Sequence, residues 1–434
     1  MSLVEKFEDG SASIAVVGMG RVGLPLSVAF ARAGFRVLGL DVDEARRAAI
    51  ELGKMPFHEP GTDEPLGEAV TSGRLTVHGD PESVIPVADA IILCVGTPLG
   101  PDLRADYDQL RSALANLVPH LQRGQLLVLR STVSPGTLVK VILPYLKKEA
   151  PEVVGELRLA ACPERIAEGR AMEELLTLPE IVGGIDEEST EAAAALFRAL
   201  NPEKLIHKTN ATSAELAKLF TNVYRYVTFA LANEFAILGE HYRVDVHRIV
   251  EMINEGYPRA NIPRPGPAGG PCLSKDGYFL VEELTLPDFV LLAWKLNDST
   301  AAHVVRRLAR RLASSGVSLA ETPVAVLGQA FKRDSDDPRL SPAVRVAEIL
   351  AREGAEVRVH DPFLPGPTLE QALTGARAFV LATNHTAYGS LDPNEMSRLM
   401  DSPRMAMDCW GMLDRDAFAA AGIKVLAFGV GEEL

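Results

Sequence analysis

The stretch Ser13-Ile14-Ala15-Val16-Val17-Gly18-Met19-Gly20-Arg21-Val22-Gly23 is an apolar, β-branched run that ends in three glycines at fixed spacing. Residues 24–33 follow as an alanine-rich helix closed by Gly34, and residues 35–40 as a second strand ending at Asp41. Strand, glycine turn, helix and strand make a βαβ unit. A pyrophosphate approaches backbone N–H groups closely only where no Cβ intervenes, and the helix then points its positive end at the phosphates. Gly18, Gly20, Arg21, Val22 and Gly23 are therefore candidate contacts to a dinucleotide. Asp41 lies about 20 residues past the turn, where a carboxylate accepts hydrogen bonds from a ribose diol and repels a 2′-phosphate, favouring NAD over NADP.

Outward from this unit, apolar runs recur at 90–95, 126–129, 157–161 and 180–183, separated by helical or loop segments. The alternation predicts a doubly wound α/β fold with a parallel sheet and helices on both faces. Gly96 and Thr97, and the Thr132 loop, follow two of these strands at the edge where ligands collect, and are candidate cofactor contacts. From 213 to about 239 the pattern becomes one long helix with a Ser213 cap and an end near Gly239. Helices resume after a Pro/Gly-rich loop and run to about Ser314. A second βαβ unit then reads 323–327, a turn at 328–332, a helix through Leu350, and a strand at 356–360 ending at Asp361. The expected division is 1–210, a dinucleotide-binding domain; 211–312, a helical domain carrying a cysteine loop; and 313–434, a second domain of the same architecture.

With 434 residues, several domains are expected. A net charge of −14 argues against general nucleic-acid binding, and no apolar run reaches the length of a membrane span, so a cytoplasmic protein is expected. The four cysteines, Cys94, Cys162, Cys272 and Cys409, are widely spaced and form no CxxC pair, so neither a metal site nor a disulfide framework is indicated.

Cys272 stands apart. It follows Gly269 and Gly270 and precedes Lys275 and Asp276, a loop setting that exposes a thiol beside a cation. Cys94 and Cys162 lie in or beside apolar strands and read as packing residues; Cys409 is open. Lys218 and Asn222 are four apart on the long helix and share a face, although on spacing alone a solvated lysine with a polar neighbour is the better reading. Glu164 and Glu168, in CPERIAEG, are equally readable as surface carboxylates or as a base.

Taken together, GMGRVG, VGTP, STVSPGT, CPERIAEG, AELAKLFTNVYRYVTFALANEFA, GGPCLSKD and FKRDSDDPRLSP occur in the order found in the UDP-glucose/UDP-mannuronate dehydrogenase family, which the chain resembles over nearly its whole length. The resemblance implies an NAD-binding Rossmann domain, a helical middle that forms a homodimer, and a Rossmann-like domain that binds a UDP-sugar. It implies oxidation of the sugar C6 alcohol to a carboxylate with two NAD+. Cys272 would be the nucleophile, Lys218 and Asn222 would stabilise oxyanions, and Asp276 would partner the hydrolytic water. Glu164 and Thr132 would complete the pocket, with Glu164 a candidate acid/base. Lys275 would touch the cofactor, and Arg165, Arg259, Asn261, Gly269, Lys332 and Arg339 the substrate. The turn at 328–332 departs from GxGxxG, so a second NAD is not expected there.

Residues 258–262 and 265–270 resemble the branch that oxidises UDP-N-acetylhexosamines, in which Arg259 would reach the substrate across the dimer. Many members of that branch have His before the cysteine and lack Lys275, whereas SKD matches the UDP-glucose enzymes. UDP-N-acetylmannosamine is thus expected ahead of UDP-glucose, with UDP-N-acetylglucosamine open. Two rival classes stay in view. A two-electron hydroxyacid dehydrogenase would have no use for Cys272, and an NAD-responsive binding protein would not need thiol, lysine and carboxylate together.

Overall fold

The computed structural model describes residues 1–281 and 283–431. The chain divides into two compact units: residues 1–221 with 278–281, and residues 222–277 with 283–431. The dividing point falls inside the long helix.

The first unit is built on eight strands: β1 Ser13–Val17, β2 Arg36–Leu40, β3 Leu75–His78, β4 Ala90–Leu93, β5 Leu126–Leu129, β6 Arg158–Ala161, β7 Glu180–Gly184 and β8 Ile206–Asn210. They lie in the order β3-β2-β1-β4-β5-β6-β7-β8. Both faces of the sheet are covered, which is why β1 is apolar throughout. Ile14 and Val16 enter one core, and Ala15 and Val17 the other. The pairs are parallel except β6 with β7, which is antiparallel, so the expected all-parallel sheet is corrected at that one junction. Strand order reverses between β1 and β4, and the glycine turn opens at that switch point.

The second unit carries a five-stranded parallel sheet in the order β10-β9-β11-β12-β13, with β9 Pro323–Leu327, β10 Glu356–His360, β11 Ala378–Leu381, β12 Arg404–Asp408 and β13 Ile423–Ala427. The helix Asp288–Ser314 packs on it through Val304, Val305, Leu308 and Leu312.

The long helix spans Ala211–Tyr242, three residues beyond its expected end. Its start is held by Asn210, whose Oδ1 accepts from Ser213 N, so Asn210 rather than Ser213 supplies the side-chain cap. Gly239 does not stop it. A Cβ there would sit 1.9 Å from Val246 Cγ2, so this glycine admits the next helix, Val246–Asn254, and the chain turns instead at Arg243 with φ 58°. Among the described residues no helix is long and apolar enough to cross a membrane.

Candidate active site

The three glycines of the first turn do different work. A Cβ on Gly18 (φ 92°) would stand 2.9 Å from the Cys94 carbonyl oxygen, and one on Gly23 would stand 1.9 Å from the Gly18 oxygen. Both are demanded by the turn's own packing. A Cβ on Gly20 would meet nothing within 4 Å, so the protein does not require that glycine and the open side is free for a ligand. The helix Gly23–Arg32 begins after Val22 without a side-chain cap; Leu24 N donates to the Gly20 carbonyl at 3.0 Å, and the start of the helix still turns its positive end toward a phosphate. These features fit a dinucleotide. Asp41 is buried, and its carboxylate accepts from Met19 N at 2.7 Å, Asp43 N at 2.9 Å and Arg46 Nη1 at 2.8 Å, so it also ties the turn to the second strand. Arg21 lies over the Phe57 ring at 4.9 Å and 3.8 Å from Glu168.

The loops after β4 and β5 are pinned together at the same sheet edge. Thr97 Oγ1 donates to the Thr132 carbonyl at 2.5 Å and Ser131 Oγ to the Val95 carbonyl at 2.6 Å. Glu215, on the long helix one turn before Lys218, accepts from Gly136 N at 2.6 Å and Leu138 N at 2.9 Å. Burial pushes its carboxyl up to about 6. The sequence offered no sign of this tether.

Glu164 sits over a buried charge network that was also not foreseen. Arg130, fully buried, pairs with Glu164 and Glu180 (2.6 Å), and Lys204 lies 3.3 Å from Glu180. Burial opposes the charge on Glu164, but the Arg130 guanidinium and the N–H groups of Ile166 and Arg165 hold its carboxyl below the usual carboxylate range. Glu164 is therefore ionised at neutral pH and accepts rather than donates, which narrows its expected acid/base role to that of a base. The Arg165 guanidinium is bonded to the Pro179 carbonyl.

In the second unit Cys272 is exposed, at the start of the short helix Leu273–Asp276. The other three cysteines are pushed up by burial, Cys94 to about 12, so none supplies a thiolate. Asp276 is wholly buried. Its Oδ1 takes Lys275 Nζ at 2.7 Å and its Oδ2 takes Asn222 Nδ2 at 2.6 Å, so the carboxylate orients the amide and the ammonium. Lys218, one turn back from Asn222, is buried and has no hydrogen-bond or ion-pair partner among the described residues. A buried ammonium without a counter-charge is a group built for a ligand oxygen.

The glycines before Cys272 are demanded by packing. A Cβ on Gly270 (φ 100°) would strike the Phe331 ring at 2.3 Å, and one on Gly269 would meet Pro342 at 2.6 Å; Gly270 N also donates to the Leu340 carbonyl at 2.9 Å. The cysteine loop is thereby fastened to the segment that carries Lys332 and Arg339. Arg339 forks onto buried Asp337, at 2.6 Å from Nη2. Arg259 is exposed, stacked 4.8 Å from the Tyr257 ring, and Asn261 is exposed. Trp294 holds the Cys272 helix from behind, its Nε1 donating to the Ser274 carbonyl at 2.8 Å.

Comparison with known proteins bears directly on this arrangement. Three family models match in order: the NAD-binding domain of the UDP-glucose/GDP-mannose dehydrogenase family at residues 12–201, its central domain at 212–297 and its UDP-binding domain at 325–415. The chain belongs to this family. It is an NAD-dependent UDP-sugar dehydrogenase. A UDP-N-acetyl-D-mannosamine dehydrogenase of Methanocaldococcus jannaschii is 32% identical, with 100% of both chains covered. The solved UDP-D-ManNAc dehydrogenase of Pyrococcus horikoshii is 32% identical with a TM-score of 0.91, covering 97% of this chain and 100% of that one. The UDP-glucose dehydrogenase of Pyrobaculum islandicum is 27% identical with a TM-score of 0.85, covering 97% and 98%.

Proposed function

We propose that the enzyme converts the C6 alcohol of a UDP-N-acetylhexosamine, foremost UDP-N-acetylmannosamine, to the carboxylate through a covalent bond to Cys272. The observation that carries this reading is one exposed thiol, next to an Asn222–Asp276–Lys275 chain, in a protein whose Cys162 and Cys409 are buried and whose Cys94 is partly so. Bound NAD+ would supply the acceptor for each of two hydrides, held by the Gly20 side of the first turn, Arg21, the loops at Gly96, Thr97 and Thr132, and Asp41.

The chain's own contributions follow from charge and position. Removing two electrons from the alcohol leaves an aldehyde, and the Cys272 sulfur adds to its carbonyl carbon, keeping it bound as a thiohemiacetal. A second two-electron oxidation leaves a thioester. Water then adds at that carbonyl, the C–S bond breaks, and carboxylate, thiol and one proton result. Each addition develops an oxyanion, to which Lys218 offers an unspent ammonium and Asn222 the second N–H of an amide already aimed by Asp276. Glu164, held ionised by Arg130, takes the proton from the C6 hydroxyl as the alcohol is oxidised, or from the attacking water. Lys332, Arg339, Arg165, Arg259, Asn261 and the Gly269 backbone serve the UDP-sugar, and Lys275 steadies Asp276 beside the cofactor.

Homodimer formation belongs to the same reading. Tyr224, Leu231, Leu238 and Tyr242 are all at least half exposed along one face of the long helix, an apolar stripe suited to a second copy. A cytoplasmic location belongs to the same reading.

The test is NADH release from a panel of UDP-N-acetylmannosamine, UDP-N-acetylglucosamine and UDP-glucose. Two NADH per sugar, fastest with UDP-N-acetylmannosamine, is expected. Preference for UDP-glucose would move the enzyme to the branch that Lys275 resembles, and one NADH per substrate would make it a two-electron dehydrogenase.

A further inference from the structure

The second unit contains a cavity of about 530 Å³ to which the reaction assigns nothing. It lies at the end of the long helix, between Ile237, Glu240, His241 and Arg243, the stretch from His303 to Ser314 of the next long helix, Leu426 in the last strand and Gly431 beyond it. Its size is that of a small-molecule pocket. Four of its lining residues are arginines: Arg243, Arg307, Arg310 and Arg311.

Three observations set Arg243, Arg310 and Arg311 apart from charges that hold the fold. His303, Arg307, Arg310, Arg311 and Ser314 occupy one face of a single helix, where like charges three and four apart repel one another. Among the described residues the only carboxylate in the lining, Glu240, is already shared by His303 at 2.7 Å and Arg307 at 2.5 Å. Arg307 is further spent on the Ala427 and Val430 carbonyls. Among the described residues that leaves Arg243, Arg310 and Arg311 without a counter-charge, and the buried Arg311 Nε has no hydrogen-bond partner there. Arg243 also ends its helix at φ 58°, a left-handed position that glycine or asparagine fills more easily, so an arginine there is held at a cost to the backbone.

A guanidinium donates and never accepts, and its fork matches phosphate oxygens two at a time. We infer that this cavity is a binding site for a soluble, multiply charged phosphate compound, set within a chain whose net charge is −14. Ile237 and Leu426 give the ligand an apolar wall beside the charged one.

The experiment is calorimetric titration of the full-length protein with inorganic tripolyphosphate at fixed ionic strength. Excess NAD+ and UDP are present to occupy the reaction's own anion sites, and sulfate serves as control. One tripolyphosphate per chain is expected, with sulfate much weaker, and R311A is expected to weaken binding roughly tenfold or more, the size of a lost charge-assisted hydrogen bond. R243G provides a readout that no fold-keeping role predicts. It relieves the left-handed backbone and raises the melting temperature, yet weakens tripolyphosphate. No saturable binding, equal affinity in the variants, or binding that emerges only when residues 432–434, with their two glutamates, are deleted would overturn the proposal. NADH formation by R311A matching wild type separates this site from the reaction.

Discussion

The two βαβ turns of this chain begin alike and end differently. In each, an acid at the end of the second strand reaches back to the turn: Asp41 accepts from Met19 N at 2.7 Å, and Asp361 from Gln329 N at 2.6 Å and Ala330 N at 3.0 Å. In each, the first glycine takes a left-handed φ, 92° at Gly18 and 95° at Gly328. The divergence comes two residues later. Gly20 faces open space, whereas its counterpart Ala330 is buried and its carbonyl takes the Thr383 hydroxyl at 2.7 Å. Five residues on, Gly23 admits the helix directly, while the second chain continues through a loop to a helix that starts only at Pro342. One architecture thus carries a dinucleotide turn where the chain leaves room, and a closed turn where its own side chains fill it.

Substitutions separate the two uses. Gly23→Ala drives a Cβ against the Gly18 oxygen and is expected to cost about 3 kcal/mol or more, seen as loss of folded protein or a large fall in melting temperature. Gly328→Ala combines a left-handed φ with a contact 2.3 Å from Thr383 Cβ, and about 2 kcal/mol is expected in chemical denaturation, with NAD+ affinity unchanged. Gly20→Ala reverses that outcome. It should leave stability within about 0.5 kcal/mol and weaken NAD+ by roughly tenfold or more in a titration. An unstable Gly20→Ala protein with normal NAD+ affinity would break the distinction drawn here.

A further expected effect is a pH dependence of opposite sign at the two sheets. Glu215, pushed by burial to about 6, favours the folded state when protonated. Its contribution is complete below its unfolded value near 4.5 and fades as pH rises through about 6, by roughly 2 kcal/mol. Asp361 is held low, since its buried carboxyl is compensated by His385 and by the turn's N–H groups. Its contribution is present above 3.8 and fades only as pH falls below that. Hydrogen exchange followed from pH 4 to 7 should show the first unit loosening and the second unaffected, and Glu215→Gln should remove the slope.

Elements that rest on local pattern were legible in the sequence. β1, β5, β9 and β10 stand where the apolar runs put them, because strands covered on both faces cannot hide their composition. The exposure of Cys272 was legible because glycines and charges do not surround a packing thiol. What escaped reading depends on distant partners. β3 and β8 are short, half-polar edge strands at the two ends of the first sheet. Gly239 looked like a helix stop because its neighbour Val246 is visible only in three dimensions. Arg130 was invisible as the clamp on Glu164, since Glu180 and Lys204, which complete the network, lie 50 and 74 residues away in sequence. The bond from Asn222 to Asp276 was likewise invisible, since the two lie 54 residues apart in sequence.

The central claim is a covalent bond between the substrate carbon and Cys272. Acid-quenching the enzyme during turnover with UDP-N-acetylmannosamine and NAD+, followed by peptide mass spectrometry, tests it most directly. The account predicts a sugar-derived adduct on the peptide containing Cys272, absent from Cys272→Ala, which should form little or no uronate. Full uronate formation by Cys272→Ala, with no adduct on the wild-type peptide, would contradict it.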